Sequence, residues 1–336
     1  MIKPKKLQVG DTIATISPSW GCAGDSETNW KYQFGVQRLK ELGLNVVTAP
    51  NSLKGSTFLK NSPEARAEDL MWAFENKSVK AIIANIGGND CNKILPFINK
   101  TSISENPKIF CGYSDIMALH LYCYRLGLST FYGDNLLTNI AETKMWHPYS
   151  KYWFEKVLLN NTVIGKIEPS YDWSFEPNSY TDSRHIKEYI KNDGYIKVQG
   201  QGVVRGRLFG GHGGMFECGT QLNKSNFENK ILFFEDIPEF FNVEYIKWFF
   251  DKLGNTGYLQ VLSGIIIGKM RSKNNFEPLA DAIRSIVSHK YGLYDLPIMY
   301  GLNFGHTSPI CILPYDALAE LDIDNLTFSI LESGVI

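Results

Sequence analysis

Ser114 is the first residue of this chain whose setting could serve chemistry. It stands in Ile109-Phe110-Cys111-Gly112-Tyr113-Ser114-Asp115-Ile116, and the stretch beyond carries apolar residues at Ile116, Leu119, Cys123 and Leu126. The first part reads as a short buried strand and the second as a helix, joined within Gly112 to Ser114. A serine on so sharp a turn is pushed out of the backbone envelope. It also sits at a helix N-terminus, where unpaired N–H groups and the dipole favour developing negative charge. That is the logic of a nucleophile elbow, although Ile116 stands where the G-x-S-x-G pattern has its second glycine. The competing reading is an ordinary serine N-cap with Asp115 in the first turn.

A hydroxyl nucleophile needs a neutral imidazole to take its proton and a carboxylate to hold that imidazole. Glu235-Asp236 directly follows the strand-like Ile231-Leu232-Phe233-Phe234. A carboxylate at a buried strand end can orient a histidine, and acidic residues also commonly open loops. His306 lies in Tyr300-Gly301-Leu302-Asn303-Phe304-Gly305-His306-Thr307-Ser308-Pro309, bracketed by glycines and a proline, on a tightly specified turn after a strand. Apart from His212 in Gly210-Gly211-His212-Gly213-Gly214, no other histidine has so loop-like a setting. His120 falls on a helix beside the core, and His147, His185 and His289 lie in polar surroundings. The order Ser, Glu, His is compatible with a triad, which is defined by geometry and not by chain order.

The elements that must position these groups alternate. Thr12 to Ser17 reads as a strand ended by Pro18, Trp30 to Leu42 as a helix stopped by Gly43, and Asn45 to Thr48 as a strand. Ser62-Pro63-Glu64 has the form of a helix start with Ser62 as the cap. Ala81 to Ile86 is a strand ending in Gly87-Gly88-Asn89-Asp90, followed by a helix to about Ile98 and then the elbow strand. Near-continuous apolar strands alternating with helices mean a parallel sheet covered on both faces, with ligands at the carboxyl ends of its strands. Gly87-Gly88 and Ser114 both fall at such ends. Residues 144–185 are rich in Trp, Tyr, Pro, Asn and Ser and read as a long connector. Beyond it, short strands are expected around Val203 and Leu208. Strands are also expected at Lys230 to Phe234, Gly264 to Gly268 and near Ile298. Helices are expected at Val243 to Leu253 and from Pro278 to about His289, and the end, Ala317 to Glu332, as β-rich closure.

Composition narrows the classes. The chain has 336 residues, 44% hydrophobic and 21% charged, which suits a two-domain globular protein. A net charge of -1 gives no electrostatic case for nucleic acid or an anionic membrane. The basic Met1 to Lys6 leads to no apolar signal core, and runs such as Ile265-Ile266-Ile267 are far too short to span a bilayer, so a cytoplasmic protein is expected. The six cysteines form no C-x-x-C pair and mostly lie in apolar segments, as expected of reduced core thiols and not of disulfides or a zinc site.

Taken together, the motifs resemble the LD-carboxypeptidase family of serine peptidases, which includes the microcin C immunity proteins. The resemblance covers nearly the whole chain. It rests on Val9-Gly10-Asp11 with Ile16-Ser17-Pro18-Ser19, Arg66-Ala67-Glu68-Asp69-Leu70 with Ala73-Phe74, Gly87-Gly88-Asn89-Asp90 and Gly112-Tyr113-Ser114-Asp115. Further pieces are Tyr132-Gly133, Gly210-Gly211, Phe234-Glu235-Asp236 and Gly305-His306. Each piece is weak; all of them in order are specific.

The resemblance implies Ser114 as nucleophile, His306 as general base and Glu235 as its orienting acid, with the N–H groups of Gly88 and Asp115 as oxyanion hole. It implies an α/β fold: an N-terminal α/β/α sandwich with a parallel sheet (1–165), a connector (166–195) and a smaller C-terminal β-rich α/β domain carrying the Glu and His (196–336). It implies homodimers and no metal or organic cofactor. Substrate contacts are expected from Gly87, Asn89, His212 and Lys269; Trp153, Trp173 and Tyr180 are candidates for stacking on a base. His212 departs from the family, which usually has Asn there. It either meets the substrate or only caps a turn.

The branch resembled most is that of the immunity proteins, which cut the amide joining an aspartyl or related acyl group to an aminonucleotide phosphoramidate. The alternative is the wall-recycling branch, which removes terminal D-alanine from muropeptides. A non-catalytic ligand-binding protein is disfavoured because it has no need of all three triad groups. The cluster Gly210 to Gly214 lacks the Lys-Ser/Thr of a P-loop and the spacing of a dinucleotide fingerprint.

Overall fold

The computed structural model describes residues 1–336, the side chain of Lys273 excepted. Two sheets organise the chain. The first has six strands in the order Leu313–Pro314, Phe131–Tyr132, Ile109–Gly112, Val79–Ala84, Thr12–Ile16, Asn45–Thr48. All neighbours run parallel except Leu313–Pro314, which is antiparallel to Phe131–Tyr132. The Ile109–Gly112 strand is buried along its whole length and Val79–Ala84 at every position but Lys80, which is what a sheet covered on both faces requires. Helices Asn29–Glu41, Pro63–Glu75 and Met117–Arg125 supply that cover with their buried faces.

The second sheet has eight strands: Gly165–Lys166, Thr327–Ile330, Leu318–Asp322, Val203–His212, Lys230–Glu235, Gly264–Gly268, Ile298–Leu302 and Ile196–Gln199, in that order. The four from Val203–His212 to Ile298–Leu302 are parallel, and the strands flanking them are antiparallel. Helices Val243–Asn255 and Lys273–Arg284 are amphipathic, the former burying Ile246, Phe249, Phe250 and Leu253. Phe249 stacks on Phe234 of the sheet at 3.8 Å between ring centroids. The two sheets exchange edges: Leu313–Pro314 joins the first and Gly165–Lys166 the second. Among the described residues no helix is long and apolar enough to cross a membrane.

Several local expectations are corrected. The two short strands around Val203 and Leu208 are one ten-residue strand, and Gly210-Gly211-His212 is its end, not a loop. Gly210 is needed there because a Cβ would stand 1.9 Å from the Phe233 carbonyl oxygen of the next strand. The helix expected from Pro278 begins at Lys273 and carries Pro278 inside it, in its second turn, where the ring forfeits one intrahelical N–H bond. Ser62 holds the N-cap position but its side chain makes no capping bond. The segment expected to be a helix up to Ile98 is a 3-10 stretch, Cys91–Phe97, with Pro96 within it.

The connector is pinned to the first sheet's layer. Trp30 Nε1 donates to the Tyr180 carbonyl at 3.1 Å and Lys31 Nζ to that of Ser179 at 2.8 Å. Lys187 pairs with Glu142 at 3.2 Å, both almost wholly buried. Trp173 and Trp153 are 0% and 3% exposed, so neither can stack on a base; Trp173 is buried within the connector and Trp153 in the core.

The turns that carry the strand ends are tied by Arg66. Its fully buried guanidinium donates to the Pro18 and Ser19 carbonyls at 3.1 and 3.3 Å and pairs with Asp90 at 2.8 Å. Removing one partner of such a pair strands the other in low dielectric. Arg66→Ala is therefore expected to cost about 3–5 kcal/mol, read as a lower midpoint in urea unfolding of the full chain; an unchanged midpoint would contradict this reading.

Candidate active site

The carboxyl ends of the two parallel arrays meet. Ser114 follows Ile109–Gly112 in one sheet, and Glu235 ends Lys230–Glu235 in the other, with His306 just past Ile298–Leu302. Ser114 has φ 66°, the left-handed region that a non-glycine residue adopts only when its surroundings enforce it. The helix does not start at once: Ser114–Ile116 form a single 3-10 turn and the α-helix begins at Met117. Ser114 is thus a strained elbow, and the ordinary N-cap reading fails, since a cap has extended backbone and bonds the first turn with its side chain. Beneath it, buried His120 bonds the Gly112 carbonyl through Nε2 and Thr130 Oγ1 through Nδ1, each at 2.8 Å, and burial pulls its pKa down to about 4. It is a structural histidine that seats the elbow.

Ser114 Oγ lies 2.9 Å from His306 Nε2, and His306 Nδ1 lies 2.7 Å from Glu235 Oε2. The same Oε2 accepts the His306 backbone N–H at 3.1 Å, so one carboxylate oxygen fixes both ring and main chain. Gly305 makes this possible: with φ 92°, a Cβ there would stand 2.1 Å from Oε2. Glu235 is 0% exposed. Burial alone would raise its pKa, but the adjoining His306 charge and hydrogen bond, with the Tyr132 hydroxyl, hold it below the ordinary value. Burial likewise disfavours imidazolium, yet the Glu235 carboxylate outweighs it and holds His306 above its ordinary value. With Nδ1–H donated to Glu235, Nε2 is left to accept the serine proton.

Tyr132 completes the arrangement. Its hydroxyl donates to Glu235 Oε1 at 2.5 Å and accepts the Ser114 N–H at 3.2 Å. This fully buried side chain joins the elbow to the carboxylate across the two sheets. Tyr132-Gly133 is visible in the sequence as a motif, but nothing in the sequence indicates that its hydroxyl bridges residues 114 and 235.

The glycine turn packs directly on the elbow. A Cβ on Gly87 would stand 2.9 Å from Ser114 Cβ and 3.4 Å from the Asp115 nitrogen, and one on Gly88 would stand 2.2 Å from Ser19 Oγ. The Gly88 N–H makes no hydrogen bond among the described residues. The Asp115 N–H opens the 3-10 turn, where no helical acceptor precedes it. Two unspent donors thus flank the hydroxyl. The Asp115 side chain clamps the turn to the elbow. Its Oδ2 accepts from the Asp90 and Cys91 N–H groups at 2.9 and 2.8 Å and from Ser19 Oγ at 2.5 Å.

A cavity of about 500 Å³ opens beside Ser114 and His306, with Gly88, His212, Asp236 and Tyr245 among its walls. His212 caps the turn and also lines this cavity. Its Nδ1 accepts the Gly214 N–H at 3.0 Å, so it caps the turn, and this leaves the neutral ring's proton on Nε2. Burial, working against the Glu235 and Asp236 carboxylates, holds its pKa below the ordinary value. Asp236 fixes the same turn through the Gly213 N–H at 3.2 Å and the Tyr245 hydroxyl. Three expected contacts fall elsewhere. Lys269 is 1% exposed, with Nζ 4.9 Å from the Trp173 ring centroid, and is a buried cation outside the cavity. Burial lowers its pKa to about 8 against the pull of Asp193. Gly87 turns its carbonyl to the Trp20 N–H at 3.1 Å, and Asn89 lines a neighbouring groove. Tyr180 packs edge-on against Trp20 at 5.5 Å.

Known proteins resemble the chain along nearly its whole length. Microcin C7 self-immunity protein MccF of Escherichia coli is 27% identical over 339 residues, covering 97% of this chain and 94% of that protein. A probable murein peptide carboxypeptidase of Bacillus subtilis is also 27% identical, over 346 residues, covering 99% and 95%. The crystal structure of an MccF-like protein from Streptococcus pneumoniae in complex with AMP superposes with a TM-score of 0.85 at 30% identity, covering 95% of this chain and 98% of that one. Residues 13–133 match the LD-carboxypeptidase N-terminal domain and residues 205–321 its C-terminal domain. The chain belongs to the LD-carboxypeptidase family and is a serine-type carboxypeptidase.

Proposed function

We propose that Ser114, His306 and Glu235 form the triad of an acyl-amide hydrolase, with Gly88 and Asp115 as oxyanion donors. The observation that carries this is the unbroken chain from Ser114 Oγ to His306 Nε2 at 2.9 Å and from Nδ1 to Glu235 at 2.7 Å. The Ser114 hydroxyl attacks the carbonyl carbon while His306 Nε2 takes its proton. The oxyanion settles between the two N–H groups. Collapse breaks the C–N bond, and the imidazolium returns its proton to the leaving nitrogen. A water, deprotonated by the same imidazole, then releases the acyl group from Ser114. Glu235 stays ionised throughout and stabilises the imidazolium.

For the substrate we propose an aminoacyl nucleotide, such as an aspartyl one, cleaved as by a microcin C immunity protein. Support comes from the likeness to MccF and from the AMP held by the Streptococcus pneumoniae relative. His212 would present Nε2–H to that substrate. The second reading, removal of terminal D-alanine from muropeptides, is supported by the Bacillus subtilis relative at the same identity. We take the enzyme as a cytoplasmic homodimer; sedimentation of the purified protein tests the dimeric state.

Purified protein offered an aspartyl sulfamoyl adenosine and an L,D-linked muramyl tetrapeptide is expected to cleave the first, and cleavage of the tetrapeptide alone would select the second reading. Ser114→Ala should lose on the order of 10⁴–10⁶ in kcat while retaining binding, and adding His306→Ala should cost little more, because the groups act as a unit. Activity should rise with pH through a midpoint above about 6.5, the ordinary histidine value, because only neutral His306 is a base and Glu235 favours its protonated form. A profile flat from about pH 5 to 8 excludes His306 as base. Tyr132→Phe removes one donor from Glu235, leaves its charge less compensated and so should move that midpoint upward, with kcat reduced about tenfold. An unmoved midpoint would reduce Tyr132 to packing.

A further inference from the structure

A second groove, of about 530 Å³, adjoins the pocket beside Ser114 and shares Gly88 with it. Its walls include Trp20, Ser56, Thr57, Lys60 and Asn89. The proposed reaction uses none of their side chains.

The groove is tied to the reacting centre. The Trp20 N–H donates to the Gly87 carbonyl at 3.1 Å. A Cβ on Gly88 would stand 2.9 Å from the Trp20 nitrogen, so the residue between groove and pocket is held to bare backbone. Trp20 itself is braced by the edge-on Tyr180 ring, whose carbonyl is fixed by Trp30 Nε1 at 3.1 Å. Yet the indole stays 42% exposed, a large aromatic surface beside a concavity.

The polar groups divide into spent and unspent. Ser56 is bonded to Asp25, and the Asp90 carboxylate at the groove's edge is paired with Arg66 at 2.8 Å and Lys93 at 3.5 Å. Among the described residues, Trp20 Nε1, the Thr57 hydroxyl and the Asn89 amide make no hydrogen bond, and no carboxylate lies within ion-pair distance of Lys60. The groove therefore offers an aromatic face, uncommitted donors and one unpaired cation. That set suits a ring whose flat or apolar face meets an indole and which carries an anionic group.

We propose that this groove is a remote subsite that receives the far end of an elongated substrate, namely a ring-bearing group with a phosphate or carboxylate placed for Lys60. This rests on the reading of Ser114 as nucleophile for its purpose, but not for its existence as a binding site. A nucleoside phosphate and a muramyl peptide both have this chemistry. Because the groove wall and the glycine turn share a hydrogen bond, an occupant braces Gly87-Gly88 and favours the oxyanion geometry. Occupancy should thus raise kcat as well as lower KM.

The test uses the full chain as Ser114→Ala, titrated calorimetrically with AMP and, separately, with N-acetylmuramyl tetrapeptide. Lys60→Ala and Trp20→Ala are each added to that background, with Trp20→Phe as the conservative control. One probe or both should bind, with Kd raised about tenfold by Lys60→Ala and by Trp20→Ala and largely restored by Trp20→Phe. The probe that responds identifies the source of the ring. Kd values unmoved by both substitutions, or no binding of either probe, overturn the proposal. In the active enzyme the same substitutions should depress kcat for the elongated substrate and leave that for a truncated acyl amide unchanged; equal loss on both substrates also overturns it. Groove-dependent binding in a wild-type protein that hydrolyses neither substrate would remove the triad reading and leave the subsite standing.

Discussion

The structure turns on a single buried carboxylate. Glu235 accepts the His306 ring proton, the His306 main-chain N–H and the Tyr132 hydroxyl, and Tyr132 in turn accepts the Ser114 N–H. An ionised group fully removed from water is costly unless its oxygens are satisfied. Here the satisfying donors come from both sheets, so the charge that must be compensated is also what brings the elbow and the histidine turn into register. The glycine at 305 lets main chain crowd against that carboxylate, while the left-handed backbone at 114 and the bare turn at 87–88 crowd main chain around the elbow that Tyr132 ties to it.

Electrostatics near the site follow from the same centre. Glu235 draws a proton toward His306, while His212, a similar ring in the same cavity, is kept neutral by burial and by its bond from the Gly214 N–H. Two imidazoles in one cavity are thus driven apart in protonation, one poised to gain a proton and the other fixed as a neutral donor. Such separation between titratable neighbours is how acid–base roles are assigned within one site.

Much of this was legible in the sequence. The apolar strands and the breaks after them announced parallel sheets, and the short turn at 112–114 admitted an elbow beside the reading of Ser114 as a plain N-cap. Ser114, Glu235 and His306 could be selected because each sits at a strand end with a chemically suitable side chain. What escaped was set by long-range packing. Lys269 follows a strand as a substrate-binding residue might, but its burial under Trp173 depends on the connector, whose path no local pattern encodes. The aromatics at 153 and 173 have the composition of a binding platform and the burial of a core. Tyr132 could not be assigned, because its role is defined by partners 18 residues back and 103 residues ahead. The glycine cluster at 210–214 looked like a loop because glycines usually break strands; here they let neighbouring backbone and Met117 come close.

The exchanged edges have a consequence for how the molecule holds together. Leu313–Pro314 crosses back to the sheet that bears the serine, and Gly165–Lys166 is stitched to the far end of the other. The chain is therefore laced, not hinged like two beads on a string. A cut within residues 174–189 would sever the covalent thread and leave each fragment with a strand lodged in its neighbour's sheet, so the halves would part only by giving up sheet edges. Wide opening of the kind by which two-lobed proteins trap a ligand would cost this fold both exchanged sheet edges, whereas adjustment of the turns around the site costs neither.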